Sequence, residues 1–178
     1  MQVDMPVVIF IIVGDSMRLY LKRDKSSEKY DFVFFDELGE EKYRAYFKKA
    51  VGSAKMNLIV ETATNGVAAK IRRLPIVGTR TFVFKVGKSH VTFVMVPTQK
   101  GIYSYFYGNN WHIGGDIATK NFQIIDVDKS VILNHTRCPD YCLLEIPNPD
   151  NELYCVATSI CANLINIIDK PAVKAVNI

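Results

Sequence analysis

The stretch Asn151–Ile168, with the sequence NELYCVATSICANLINII, decides the fold that we predict for this chain. On a helix, its apolar side chains cover most of the circumference, so the helix is either wrapped by protein or placed in lipid. Its length of about 27 Å is close to the minimum for a membrane span. A narrow polar stripe favours a protein shell over a C-terminal membrane anchor, and the stripe consists of Glu152, Ser159, Asn163 and Asn166.

The residues on either side of this stretch give the predicted helix a beginning and an end. Asp150 is expected to cap the first backbone amides, because a short acidic side chain accepts hydrogen bonds there. Asp169-Lys170-Pro171 is expected to end the helix, because proline cannot continue it. The part of the chain that wraps this helix must therefore lie upstream.

Upstream of the helix, the chain reads as a succession of short strands. Segments rich in Val, Ile, Phe, Tyr and Thr recur about every 9–13 residues, separated by turn signals such as Asn65-Gly66. The twelve predicted strands are Arg18–Lys22, Asp31–Phe35, Lys42–Phe47, Lys55–Glu61, Val67–Arg73, Arg80–Val86, His90–Val96, Ile102–Tyr107, Trp111–Gly115, Asn121–Asp126, Ser130–Thr136 and Asp140–Ile146.

Twelve consecutive strands have two exposed edges, which closure into a barrel removes. A barrel of that circumference is too wide for its own side chains to fill. Strands of six or seven residues span about 20–23 Å, which is comparable with the length of the predicted helix. The sequence therefore predicts a mainly β fold, a 12-stranded antiparallel β-barrel that encloses the hydrophobic C-terminal α-helix.

We predict one barrel domain over residues 17–169, an N-terminal extension over 1–16 and a C-terminal tail over 170–178. The apolar run Val7–Val13 is too short to span a bilayer and lacks the basic start of a signal peptide. Two interpretations of the extension remain open. It is either an additional strand or a leader upstream of a native start at Met17.

The composition is that of a globular protein, since 49% of the 178 residues are hydrophobic and 22% are charged. The net charge of +4 is unevenly distributed. Residues 1–100 contain 17 Lys and Arg against 10 Asp and Glu, whereas residues 101–178 contain 5 against 8. This imbalance favours an anionic partner such as a membrane surface over a nucleic acid, with a solvated surface that has no partner as the alternative.

The four cysteines all lie in the last quarter of the chain: Cys138, Cys142, Cys155 and Cys161. They form no Cys-x-x-Cys pair, and no secretory signal is recognisable, so we expect reduced thiols in a cytoplasmic protein. His135, Cys138 and Cys142 are close in sequence, but no fourth zinc ligand follows at a familiar spacing. We therefore expect no metal and no cofactor.

Four segments resemble the LURP-one-related proteins, which have the tubby C-terminal-like fold: Trp111–Asp116 (WHIGGD), Phe122–Asp126 (FQIID), Val131-Ile132 and Asp140–Ile146 (DYCLLEI). The resemblance covers about Met17 to Asp169 and implies a 12-stranded barrel around a central helix. Leu133–Arg137 departs from the lysine-containing segment usual in the family. Related tubby domains bind phosphoinositides through a basic pocket, and no motif for that pocket is recognisable in this sequence.

Candidate catalytic residues are few. His90-Val91-Thr92 resembles the His-x-Thr element of 2H phosphoesterases, but that chemistry needs two facing elements, and His135-Thr136 has the wrong spacing. Asp116 and Asp126 are better explained as turn and strand-end residues, and Trp111 as a packing residue of the barrel. We predict no catalytic residue, and a phosphodiesterase or hydrolase ranks third among the functions considered.

A basic patch is the strongest candidate site. Five cationic residues lie along neighbouring predicted strands and are predicted to bind a lipid headgroup: Arg72, Arg73, Arg80, Lys85 and Lys88. Solubilisation of a sheet edge explains the same residues without a ligand. Strand alternation places Arg72 and Arg73 on opposite faces unless a bulge or strand end intervenes.

Two function classes follow from these observations. The first is a non-catalytic module that binds an anionic phospholipid at a membrane surface, in the cytoplasm or peripherally on the membrane. The alternative is an intracellular protein-interaction or scaffold protein, linked to stress or defence by analogy with plant members of the family.

Overall fold

In a computed structural model, which describes residues 16–27, 31–48 and 56–168, twelve antiparallel strands close into a barrel around one helix. The strands are β1 (Met17–Arg23), β2 (Phe32–Phe35), β3 (Glu41–Lys48), β4 (Asn57–Thr62), β5 (Val67–Leu74), β6 (Arg80–Val86), β7 (Ser89–Thr98), β8 (Gly101–Tyr107), β9 (His112–Asp116), β10 (Asn121–Ile125), β11 (Val131–Arg137) and β12 (Cys142–Ile146). A 3₁₀ turn at Pro149–Asn151 leads into helix α1 (Glu152–Ile168).

The topology is a meander, in which each strand pairs with its neighbours in sequence. β1 closes the barrel because it pairs with β2 on one side and with β12 on the other. In the β1–β12 register, Leu19 lies opposite Leu144, and both side chains are fully buried against the interior. The predicted mainly β fold with twelve strands is confirmed.

Helix α1 fills the interior of the barrel. Every residue from Cys155 to Ala162 is fully buried, so all sides of the helix are covered there. Large aromatic side chains of the strands line the same core, and the fully buried ones are Phe32, Phe34, Phe82, Phe84 and Phe93. The predicted enclosure of the apolar helix is therefore confirmed.

Three polar side chains of α1 bond to the backbone of the helix itself. Ser159 Oγ donates to the carbonyl of Cys155 at 2.8 Å, and Thr158 Oγ1 donates to the carbonyl of Tyr154 at 2.8 Å. Asn163 Nδ2 donates to the Ser159 carbonyl at 2.9 Å. Hydrogen bonding to the preceding turn lets a hydroxyl or amide lie inside an apolar barrel without a water partner.

The beginning of the helix differs from the prediction at one residue. Asp150 lies inside the 3₁₀ turn, and the side chain of Asn148 accepts the hydrogen bond from the Asp150 amide at 3.0 Å. The predicted capping role of Asp150 is therefore wrong, because the extra turn moves the cap upstream. Lys42 Nζ lies 2.7 Å from Glu152 Oε1, and this ion pair ties the first turn of α1 to β3.

Several predicted features fall outside the described residues. They are the N-terminal extension up to residue 15, the helix end at Asp169-Lys170-Pro171 and the C-terminal tail. In the part of the chain that the structure covers, we find no helix with the length and hydropathy that crossing a membrane requires.

Candidate functional site

A groove of about 340 Å³ runs over the outer wall of the barrel across the strands from β3 to β7. Its cationic and imidazole side chains define what we call the basic groove: Lys48, Lys70, Arg72, Lys85 and His90. Among its lining residues, all of which are described, none is an aspartate or a glutamate.

Strand alternation and register bring these side chains together. Ala69 and Ile71 of β5 are buried in the core, so Lys70 and Arg72 point to the outer wall. Lys70 lies directly opposite Lys85 of β6, and Lys85 lies opposite His90 of β7. Neighbouring strands are about 4.8 Å apart, so these three side chains form one row across the wall.

This row places like charges side by side. Two lysines directly opposite each other on one face of a sheet destabilise it, so Lys70 and Lys85 favour an anion between them. Between Glu61 and Asp116 the sequence contains seven Lys and Arg and no Asp or Glu. Among the described residues, no ion pair joins Lys70, Arg72 or Lys85 to a carboxylate.

The nearest acidic side chain on β4 is already bonded. Glu61 is only 8% exposed, and its Oε1 accepts a hydrogen bond from the Tyr46 hydroxyl at 2.9 Å. Its carboxylate thus lies against β3, outside the lining of the basic groove. The lining of the groove therefore contains four cations and no carboxylate.

The structure divides the predicted patch. Arg72 and Lys85 lie together in the basic groove, and Lys88 is exposed in the turn between β6 and β7. Arg80 is only 7% exposed, and Arg73 lies opposite the buried Phe82 on the inward side. Arg73 and Arg80 therefore do not share the outer surface on which Arg72 and Lys85 lie. Headgroup binding by the five residues stays a prediction.

The inward position of these two arginines has an electrostatic consequence. Burial lowers the pKa of the Arg80 guanidinium, and the neighbouring charge of Arg73 lowers it further. Arg73 is the last residue but one of β5, and Arg80 is the first residue of β6.

Sequence reasoning missed three residues of the basic groove. Lys70 lies two residues before Arg72, and residues with this spacing share one face of a strand. Strand alternation alone could therefore have placed Lys70 in the predicted patch. Lys48 and His90 come from other strands, and only the strand registers show that they reach the same groove.

The candidate catalytic histidines do not face each other. His90 is exposed on the outer wall, whereas His135 is 1% exposed and points into the barrel. Asp116 Oδ1 accepts a hydrogen bond from the Ala118 amide at 2.9 Å, as a turn residue does. Asp126 likewise begins a turn, which confirms the predicted turn roles of both aspartates.

Trp111 packs inside the barrel, as predicted. It is 8% exposed, and its ring contacts two others edge-on, with ring centroids 5.8 Å apart for Phe106 and 5.9 Å apart for Tyr154 of α1.

The four cysteines are free, and burial raises the thiol pKa of Cys155 and Cys161. Within the described ranges, no group of three or more His, Cys, Asp and Glu could hold a metal ion.

No family model matches the sequence, and no curated protein matches it significantly. A solved structure of the Arabidopsis thaliana protein AT5G01750 is similar, with a TM-score of 0.54 and 9% sequence identity. The similarity covers 86% of this chain and 91% of that chain. The two chains share their fold. The shared architecture is the closed barrel with its C-terminal helix.

Proposed function

We propose that this chain is a non-catalytic binding domain whose basic groove takes the phosphate headgroup of an anionic phospholipid. The observation that carries the proposal is a groove lined by Lys48, Lys70, Arg72 and Lys85 without a carboxylate. Arginine bonds phosphate oxygens in a forked geometry, and lysine supplies a compact charge. The proposed setting is the cytoplasm, with the protein bound peripherally to a membrane.

The electrostatic attraction between the groove cations and an anionic membrane determines the affinity that we expect. Each Lys or Arg near an anionic membrane contributes about 1 kcal/mol, so four cations supply about 4 kcal/mol. That energy corresponds to a dissociation constant of about 1 mM. Binding through the basic groove alone is therefore weak, reversible and sensitive to salt.

The family assignment is part of the same proposal. The segments Trp111–Asp116, Phe122–Asp126 and Asp140–Ile146 resemble LURP-one-related proteins, and the barrel around a helix agrees with the fold that this resemblance implies. On this assignment the chain is a tubby-like domain.

Vesicle co-sedimentation tests the proposal. Wild-type protein is expected to bind vesicles that contain phosphatidylserine, phosphatidylglycerol or phosphoinositides, and not vesicles of phosphatidylcholine alone. Arg72→Glu with Lys85→Glu is expected to weaken binding at least tenfold, because two groove charges are reversed. Both side chains are exposed, so the melting temperature should stay within about 2 °C.

The matched control reverses two exposed lysines outside the basic groove, Lys22→Glu with Lys100→Glu, and thus makes the same change in net charge. It should retain binding to within about threefold, since the remaining effect is long-range and screened. Equal losses in the two double variants, or no wild-type binding to anionic vesicles, would refute the groove as a headgroup site.

A protein-interaction role is the second candidate function, and a row of tyrosines on the outer face of β8 favours it. Tyr103 and Tyr107 are 64% and 61% exposed, and their rings lie 5.7 Å and 5.3 Å from that of Tyr105 between them. Tyrosine is enriched in protein interfaces. A stoichiometric partner that is lost with Tyr103→Ser and Tyr107→Ser, together with absent vesicle binding, would favour this function.

A further inference from the structure

A second basic pocket lies at the distal end of the barrel, by which we mean the end where α1 finishes. The pocket has a volume of about 270 Å³ and is separate from the basic groove. We call it the end pocket and define it by its four cationic lining residues: Arg23, Lys25, Lys120 and Arg137. Asp140, Cys142 and Asn163 also line it.

Closure of the barrel creates the end pocket. β1 ends at Arg23 and β11 ends at Arg137, and both strands pair with β12 at its first residue. Leu21 and Arg137 both lie opposite Cys142. Arg23 and Arg137 are far apart in sequence and meet here only because β12 lies between their strands.

Lys120 is held in place by the core. Its backbone φ of 66° is in the left-handed region, which is uncommon for a residue with a side chain. The Lys120 carbonyl accepts a hydrogen bond from Nδ1 of His135 at 2.7 Å. His135 is itself 1% exposed and stacks on Phe122 at 4.6 Å, so a buried residue fixes the position of a pocket lysine.

The charges of the end pocket act on one another. Burial lowers the pKa of Lys120, and the charges of Arg137 and Arg23 lower it as well. Among the described residues, Asp140 is the only acidic side chain in the lining. The nearby carboxylate of Asp24 accepts hydrogen bonds within its own turn. Four cations therefore face one carboxylate.

We propose that the end pocket binds a phosphate group, as a phosphomonoester dianion, independently of the basic groove. Two arginines offer forked donors for the oxygens, and Lys120 adds a further positive charge in the same lining. A dianion between them offsets the mutual repulsion of Lys120, Arg23 and Arg137. The phosphate belongs either to a small water-soluble ester or to a lipid headgroup, because both present the same group.

The test uses the full chain and measures its melting temperature with inorganic phosphate and with glycerol 3-phosphate, at constant ionic strength against chloride. Saturable stabilisation of about 2–4 °C is expected, because a ligand that binds only the folded state raises its stability. Lys120→Gln with Arg137→Gln should weaken the apparent affinity at least tenfold. Lys22→Gln with Lys100→Gln makes the same change in net charge at exposed positions outside both sites, and it should leave the affinity unchanged.

Nuclear magnetic resonance of the wild type keeps the proposal testable if the end-pocket variant does not fold. Phosphate should shift the amide resonances of Arg23, Lys120 and Arg137.

Binding to vesicles that contain phosphatidic acid shows whether the phosphate belongs to a lipid or to a water-soluble ester. If the ligand is a lipid, the end-pocket variant should lose vesicle binding; if it is a water-soluble ester, the variant should keep it. Stabilisation equal to that of chloride would overturn the proposal. Amide shifts confined to other residues would overturn it as well.

Discussion

At the scale of single residues, His135 shows how the core controls a polar group. It is 1% exposed, stacks on Phe122 and donates from Nδ1 to the carbonyl of Lys120. Within the described residues its Nε2 has no hydrogen-bond partner, which suits a neutral ring whose second nitrogen carries no proton. One imidazole therefore sets the geometry of a turn without carrying charge.

This environment predicts a pH dependence of stability. Burial lowers the pKa of His135 from 6.5 to about 4, with the Lys120 charge acting in the same direction and the hydrogen bond to Lys120 opposing it. The unfolded chain therefore takes up a proton at a higher pH than the folded chain does. The contribution of neutral His135 to the free energy of unfolding is fully present above pH 6.5 and is lost as the pH falls towards 4. The free energy of unfolding should therefore fall by about 2 kcal/mol between pH 7 and pH 5.

Urea unfolding at pH 7, 6 and 5 measures this effect. His135→Asn keeps a donor near the Lys120 carbonyl but does not titrate, so its free energy of unfolding should fall less with decreasing pH than that of the wild type. His112→Asn, at an exposed position, is the control and should keep the wild-type slope. Identical slopes for wild type and His135→Asn would show that another group causes the acid sensitivity.

At the scale of elements, α1 and the barrel depend on each other. The helix is buried on all sides, and the strands alone enclose a space that their own side chains do not fill. Removal of the chain after Pro149 is therefore expected to abolish cooperative unfolding in heat or urea. A truncated chain that still unfolds with a single sharp transition would contradict the enclosed-helix account.

A single substitution gives a graded version of this prediction. Ile160 is fully buried in α1, so Ile160→Ala should lower the free energy of unfolding by about 2–5 kcal/mol. Ile76 is 50% exposed, and Ile76→Ala should change it by about 0.5 kcal/mol or less. Denaturant unfolding measures both values, and similar losses in the two variants would argue against a barrel filled by α1.

The strands and the helix could be predicted from local sequence patterns, because each depends mainly on the residues within and beside its own segment. β6 runs from Arg80 to Val86, as turn residues on both sides of an apolar segment indicated, and α1 begins one residue after its predicted start. The row of Lys70, Lys85 and His90 depends on the registers of two strand pairs, which no single segment specifies. The candidate site was for this reason predicted only in part.

At the scale of the whole molecule, closure of the barrel determines which charges meet. The basic groove gathers consecutive strands and was partly visible in the sequence, through Arg72 and Lys85. The end pocket joins Arg23 near the beginning of the chain to Arg137 near its end, so it exists only when β1 pairs with β12. The closed barrel thus carries two separate cationic surfaces, and we propose an anionic ligand for each.

The most direct measurement of the central claim is an amide chemical-shift titration of the isotope-labelled protein with a water-soluble inositol phosphate, the headgroup without its lipid chains. The basic groove predicts saturable shifts that include the amides of Lys70, Arg72, Lys85 and His90, and their loss in Arg72→Glu with Lys85→Glu. A second set of shifts at the end pocket is compatible with this outcome. A saturable titration that leaves the amides of β5 and β6 unmoved would contradict the account.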